Sequence, residues 1–144
     1  MTENASAIEQ PIRAAESRHA GQIRFAVESA LDLPHLWANL SPRQRALQVF
    51  AQLGIWDTAA NNGVLIYVLL ADHDVEIVAD RGISARVEQA EWDEVCRLME
   101  QHFRAGRFLE GSRAGVQAVG ELLARHFPGE SAAVDELPDR PVLL

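Results

Sequence analysis

The sequence contains a single cysteine, few positive charges and no lysine. Cys96 is the only cysteine among 144 residues, so neither an intrachain disulfide nor a cysteine metal cluster can form. All 13 basic residues are arginine, and they are outnumbered by 21 acidic residues, which gives a net charge of −8. Such an acidic chain is unsuited to nucleic acid, whose phosphates require basic patches.

Long hydrophobic runs are also missing. No stretch reaches the roughly 20 apolar residues that a membrane-spanning helix needs, and the opening MTENASAIEQPIRAAE lacks the basic and apolar regions of a secretory signal. We therefore expect a cytoplasmic protein with no direct membrane span. The 48% of hydrophobic residues can form the core of one domain over residues 1–129. Residues 130–144 contain two prolines without periodicity, and we expect an extended tail there.

Hydrophobic periodicity and turn residues predict seven elements in the order helix, strand, helix, strand, strand, helix, helix. The alternation of Ile23, Phe25 and Val27 with polar residues predicts a half-buried first strand. The continuous apolar run of residues 63–71 predicts a central strand that forms a hairpin with residues 75–80. Together these elements predict an α/β fold, a three-layer α/β/α sandwich around a small mixed sheet made of a βαβ unit and an antiparallel hairpin.

The helix between the first two strands has the clearest terminal signals. Ser41 is a suitable N-cap, Pro42 suits the first helical position, and Gly54 follows the last turn. The predicted core-facing side chains of this helix are Ala46, Leu47, Val49, Phe50 and Leu53.

The predicted topology gathers polar residues at one end of the sheet, because parallel strands begin there and the returning hairpin strand ends there. The candidate metal or ligand rim consists of Asp57, Asn61, Asn62, Asp80 and Glu16, supported by His19, Arg81, Gly63 and Gly82. Carboxylate and amide oxygens suit Ca²⁺. The alternative is local structure: Asx turns, an Asn-Gly turn with positive φ, and an ion pair between Asp80 and Arg81.

Other reactive residues have simpler interpretations. Cys96 follows Val95 on a predicted helix and is expected in the core, and Asp72 to Asp74 are expected to form a solvated turn. The sequence contains no G-x-S-x-G elbow, P-loop or H-E-x-x-H motif, so no catalytic nucleophile can be named.

Two segments carry a resemblance to a known family. NNGVLIYVLLADHDVEIVADRGI and FRAGRFLEGSRAGVQAV, with its F-x-x-G-x-F-x-x-G pattern, resemble the TPM domain, which is named for a thylakoid lumen protein, a photosystem II repair protein and a nematode receptor modulator. The likeness spans about residues 8–127. ESRHAGQIRFAVE and WDTAANNGVLIYVLLAD look like a cytoplasmic bacterial branch without signal peptide or anchor, often encoded beside LemA-type proteins and a membrane-anchored TPM protein.

The resemblance implies an α/β/α sandwich, Ca²⁺ binding as in some members, and acid phosphatase activity as in a plant member. This sequence departs from secreted members because it lacks their D-x-A-x-x-L opening segment, so a Ca²⁺ site that uses the opening Asp would be incomplete. Two hypotheses follow. The first is a non-catalytic interaction or adaptor domain linked to membrane or envelope homeostasis, with metal-modulated binding to a membrane-associated protein partner. The alternative is a divalent-metal-dependent phosphatase.

Overall fold

The computed structural model describes residues 2–16, 22–31, 39–57, 62–127 and 140–144, with side chains for all of these except 2–6 and 15–16. No helix within these ranges is both long enough and apolar enough to cross a membrane. The helices are α1 (Thr2–Glu16), α2 (Pro42–Gln52), α3 (Arg81–Ser84), α4 (Gln89–Arg104) and α5 (Phe108–His126). The strands are β1 (Gln22–Glu28), β2 (Gly63–Leu69), β3 (Asp74–Ala79) and β4 (Val142–Leu143).

The four strands form one mixed sheet in the order β3-β2-β1-β4. β1 and β2 are parallel, with Gln22 opposite Gly63, and β3 is antiparallel to β2, with Ala79 opposite Val64. The predicted βαβ unit and hairpin are both confirmed. The tight turn between β2 and β3 contains His73, whose φ of 51° lies in the left-handed region.

Helices cover both faces of the sheet, which confirms the three-layer sandwich. On one face α1, α4 and α5 bury the large apolar cluster, which includes Ile12, Phe25 and Met99. On the other face α2 buries a smaller cluster with Val49 and Tyr67. β2 is buried along its whole length because it is central in the sheet and has helices on both sides.

The predicted ends of α2 are confirmed. Ser41 and Gln44 form a reciprocal capping box at the start of α2, where Pro42 is the first helical residue. Gly54 and Gly106 follow the ends of α2 and α4 with φ values of 67° and 77°, a conformation that glycine adopts without strain.

Three features differ from the sequence prediction or were missed by it. α1 runs from Thr2 to Glu16 without interruption at Pro11, although an interior proline removes a helix hydrogen bond. β1 is not half-buried: Gln22, Ala26 and Glu28 are buried as well, and Ala26 belongs to the smaller apolar cluster on the α2 side of the sheet. Val142 and Leu143 pair in parallel with β1, although the sequence showed no strand signal in the predicted tail.

Candidate functional site

The strand ends meet as the topology predicted. The N–H of Gln22 donates to the carbonyl of Asn62 at 3.0 Å, and the N–H of Asp80 donates to the carbonyl of Gly63 at 2.9 Å. The start of β1, the start of β2 and the end of β3 therefore form one edge of the fold. Of the predicted rim, the structure brings Asn62, Gly63 and Asp80 together, with Arg81 next along the chain.

Asp80 has a structural role at this rim. Its Oδ1 accepts a hydrogen bond from the backbone N–H of Arg81 at 2.8 Å and caps the short helix α3, to which Gly82 belongs. Its Oδ2 is buried and has no hydrogen-bond partner among the described residues. Within those residues no ion pair joins the side chains of Asp80 and Arg81, so capping is the local interaction that the structure supports.

Gly63 differs from its predicted role in a positive-φ turn, because its φ is not in the left-handed region that Gly54 and Gly106 occupy. The glycine is needed for a close approach. A Cβ at this position would lie 2.5 Å from the carbonyl oxygen of Ile55 and 2.6 Å from its Cγ2. Asp57 follows Ile55 by two residues and is exposed.

The described rim residues do not complete a Ca²⁺ site, since Ca²⁺ takes 6–8 oxygen ligands. Asp80 uses one oxygen in a cap, and Asp57 is exposed. In the part of the chain that the structure describes, no group of three or more His, Cys, Asp or Glu side chains could hold a metal. Asn61, His19 and the side chain of Glu16 lie outside the described residues, so their predicted contribution stays a prediction.

A buried charged network at the opposite end of β1 was missed by the sequence analysis. Arg45 on α2 binds Glu28 at the end of β1 through Nε at 2.8 Å and Nη2 at 3.1 Å. The hydroxyl of Tyr67 on β2 donates to the same carboxylate at 2.6 Å. Arg45 and Glu28 are only 7% and 8% exposed, and Tyr67 is fully buried. These contacts join three elements through one carboxylate.

The electrostatics of this network favour its charged form. The hydrogen bond to Glu28 raises the pKa of Arg45. Burial, and then the hydrogen bond to Glu28, raises the pKa of the Tyr67 hydroxyl. Both groups therefore stay protonated and act as donors across the physiological pH range. The network holds α2 onto the sheet, and its burial and mutual hydrogen bonds indicate a structural role and not ligand binding.

A second missed feature is a groove of about 220 Å³ along the free edge of β3. β3 forms its floor, α4 contributes one wall and Arg43 of α2 the other. It is lined by Arg43, Val75, Glu76, Ile77, Gln89, Asp93, Cys96, Arg97 and Glu100. We call this feature the β3-edge groove. The sequence carried one indirect signal for it, since Asp74 and Glu76 alternate with apolar residues on a strand.

Glu76 is the acid of the β3-edge groove whose pKa is shifted most from its ordinary value. Burial, and then the hydrogen bond and charge of Asp74, raises its pKa from 4.5 to about 8, while Arg43 at 3.9 Å opposes the shift and Glu100 adds to it. The Oδ2 atom of Asp74 is buried and has no hydrogen-bond partner in the described ranges. Near neutral pH the Glu76 carboxyl is therefore largely protonated.

This shift predicts a pH-dependent stability that Glu76→Gln removes. Because the folded pKa is raised, the native state binds more protons than the unfolded state, so stability is lost as the pH rises from about 4.5 to about 8. Thermal melts at pH 4 and pH 8.5 should show the variant close to the parent at the lower pH and more stable than the parent at the higher. A matched control is Glu94→Gln, an exposed residue of α4, which should follow the parent at both values. A stability difference between Glu76→Gln and the parent that is the same at both pH values would contradict the prediction.

Cys96 packs partly against the large apolar cluster and also lines the β3-edge groove. Burial, and then the carboxylates of Glu76 and Glu100, raises the pKa of its thiol to about 12. Since the thiolate is the reacting form, alkylation at pH 7.5 should be at least about a hundredfold slower in native protein than in denaturant. Mass spectrometry of iodoacetamide-treated samples measures both rates, and equal rates would show that the thiol is accessible and ionised.

These observations define the class of the protein: a small α/β/α domain on a mixed four-stranded sheet, with a polar strand-end rim and a charged groove at one sheet edge. The TPM domain matches residues 1–122, and the chain belongs to that family. No curated protein matches the chain.

Solved structures show the same fold. The BA42 protein of the psychrophilic bacterium Bizionia argentinensis is 32% identical, with a TM-score of 0.86, 100% of this chain covered and 94% of that one. An N-terminal domain from P. gingivalis is 21% identical with a TM-score of 0.69, covering 90% of this chain and 82% of that chain. The N-terminal domain of the cg2496 protein of Corynebacterium glutamicum is 14% identical with a TM-score of 0.55, covering 92% and 77%. The last two support the fold alone.

Proposed function

We propose that this TPM domain is a non-catalytic interaction domain that acts in the cytoplasm in membrane or envelope homeostasis. Its partner is a membrane-associated protein, either a LemA-type protein or a membrane-anchored TPM protein. The observation that carries the proposal is the β3-edge groove, an open, charged surface along a strand whose outer edge has no neighbouring strand among the described residues. Free strand edges are recurrent sites of protein recognition.

The strand-end rim gives less support to the phosphatase alternative. Two-metal phosphoryl chemistry requires several convergent carboxylates. Among the described residues the rim offers Asp57, which is exposed, and Asp80, which caps α3. Ca²⁺ enters the proposal as a weak modulator at this rim, because its Asp80 Oδ2 is a buried oxygen with no hydrogen-bond partner in the described part of the chain.

Calorimetry with purified proteins tests the function directly. The chain is titrated with the LemA-type protein and with the membrane-anchored TPM protein of the same organism, each with and without 10 mM Ca²⁺. Hydrolysis of p-nitrophenyl phosphate with Ca²⁺ or Mg²⁺ is followed in parallel. We expect saturable binding to one partner and no hydrolysis above buffer. Metal-dependent hydrolysis that Asp80→Asn abolishes, without binding to either protein, would establish the phosphatase instead.

A further inference from the structure

In the part of the chain that the structure describes, the outer edge of β3 is covered by two side chains and not by a strand. The N–H of Val75 donates to Oε2 of Glu100 at 3.1 Å, and the carbonyl of Ile77 accepts from Nη1 of Arg43 at 2.5 Å. Val75 and Ile77 are thus the residues whose backbone groups point away from β2. Because the N–H and C=O of a strand residue point to the same edge, the carbonyl of Val75 and the N–H of Ile77 face the β3-edge groove as well.

Glu100 and Arg43 occupy the positions in which a neighbouring strand would place its backbone hydrogen-bonding groups. Glu100 supplies an acceptor where a strand would place a carbonyl, and Arg43 supplies a donor where it would place an N–H. They reach the edge from opposite layers, Arg43 from α2 and Glu100 from α4. The Arg43 side chain is 42% exposed, so it can exchange this bond for water or for an incoming backbone at little cost.

We propose that the β3-edge groove binds an extended segment of the partner protein as an added strand beside β3, and that this segment inserts an arginine or lysine side chain. The inference rests on the proposed interaction function and names the surface and the chemistry of the segment that it binds. The added strand replaces Glu100 and Arg43 at the backbone of Val75 and Ile77.

The charged side chains of the β3-edge groove determine which added strand can bind there. The β3-edge groove and the adjacent start of β3 contain the carboxyls of Asp74, Glu76, Asp93 and Glu100, against the guanidinium groups of Arg43 and Arg97. A cation beside Asp74 and Glu76 compensates the Glu76 carboxyl, whose charged form is disfavoured by burial and by the neighbouring Asp74. A second copy of this chain would instead bring its own Asp74 and Glu76 to the same edge, and like charges opposite each other oppose strand pairing.

The test uses two capped pentapeptides of alternating threonine and valine, one with a central arginine and one with a central glutamate. Backbone amide shifts of the full chain in NMR titrations report binding. We expect the arginine peptide to shift the amide resonances of Val75 and Ile77, and we expect the glutamate peptide to bind at least about tenfold more weakly.

Glu76→Gln should weaken binding of the arginine peptide about tenfold, while Glu94→Gln, on another face of α4, should leave the affinity for that peptide unchanged. Affinity should rise from pH 7 to pH 9 in the parent, because Glu76 ionises there, and stay flat in Glu76→Gln.

Two results would overturn the proposal. The first is equal binding of both peptides, or shifts confined to residues outside the β3-edge groove. The second is partner binding in calorimetry that Glu76→Gln leaves intact, in which case the interaction function stands and the surface lies elsewhere. Self-association of Arg43→Ala/Glu100→Ala without peptide binding would show that the two side chains only protect the edge from pairing, and would also refute the proposal.

Discussion

Replacing Arg45 by methionine is expected to lower the free energy of unfolding by about 3–5 kcal/mol, because the substitution leaves the carboxylate of Glu28 buried without its cation. In a domain of this size that corresponds to a fall of roughly 6–20 °C in the melting temperature. Both hydrogen bonds from Arg45 to Glu28 are lost, while the hydroxyl of Tyr67 keeps one. Urea unfolding followed by circular dichroism measures the change.

Three further variants separate the effect of the buried charge from that of side-chain shape. Arg43→Met on the same helix should cost less than about 1 kcal/mol, because that side chain is 42% exposed and its ion pair with Glu76 is long, at 3.9 Å. Adding Glu28→Gln to Arg45→Met should restore part of the lost stability, since the buried negative charge that Arg45 compensated disappears. Tyr67→Phe, which removes a single donor to Glu28, should cost about 1–3 kcal/mol. A double variant less stable than Arg45→Met would show that the buried charge is not the cause.

Gly63→Ala is expected to lower the free energy of unfolding by about 1–3 kcal/mol through overpacking. The added Cβ would meet the carbonyl oxygen of Ile55 at 2.5 Å, and a backbone oxygen can retreat only if the loop before β2 moves. The same shift would disturb the hydrogen bond from Asp80 N–H to the carbonyl of Gly63. Chemical denaturation gives the energy, and amide exchange at Asp80 reports the rim.

The matched control is Gly115→Ala on α5. Its Cβ would also be crowded, with Met99 Cγ at 2.6 Å, but the neighbour is a flexible side chain that can change its rotamer. This variant should therefore be less destabilised than Gly63→Ala. If Gly115→Ala were less stable than Gly63→Ala, the packing of α4 against α5 would be tighter than the contact between Ile55 and the start of β2.

Most of the architecture followed from periodicity and terminal residues. The apolar run of residues 63–71 indicated a central strand, which the structure places at Gly63–Leu69, and Ser41 with Pro42 marked the start of α2 because their chemistry acts within one turn. The meeting of the strand starts with Asp80 followed from the parallel strands of a βαβ unit and from the antiparallel return of the hairpin. These predictions depend on local chemistry or on topology, and both are encoded by neighbouring residues.

The orientation of α2 shows where sequence reasoning failed. Leu47 was expected to face the core, yet it is 48% exposed, while Arg45 is buried. The core-facing side of a helix is inferred from the positions of its apolar residues, so a buried arginine is not expected on that side. Glu28 and Tyr67 compensate Arg45, but they lie far from it in the sequence, so the pairing is invisible before the helix is placed on the sheet.

The sequence by itself determined the fold class, the order and direction of β1, β2 and β3, and the grouping of Asn62, Gly63 and Asp80 at one edge. Only the tertiary structure decided the burial of Arg45 with Glu28, the role of Gly63 as a contact for Ile55, and the joining of Val142 and Leu143 to the sheet. It also created the β3-edge groove, because Arg43 and Glu100 meet there from opposite layers. Such features depend on distances between residues that are remote in the chain, which no local pattern encodes.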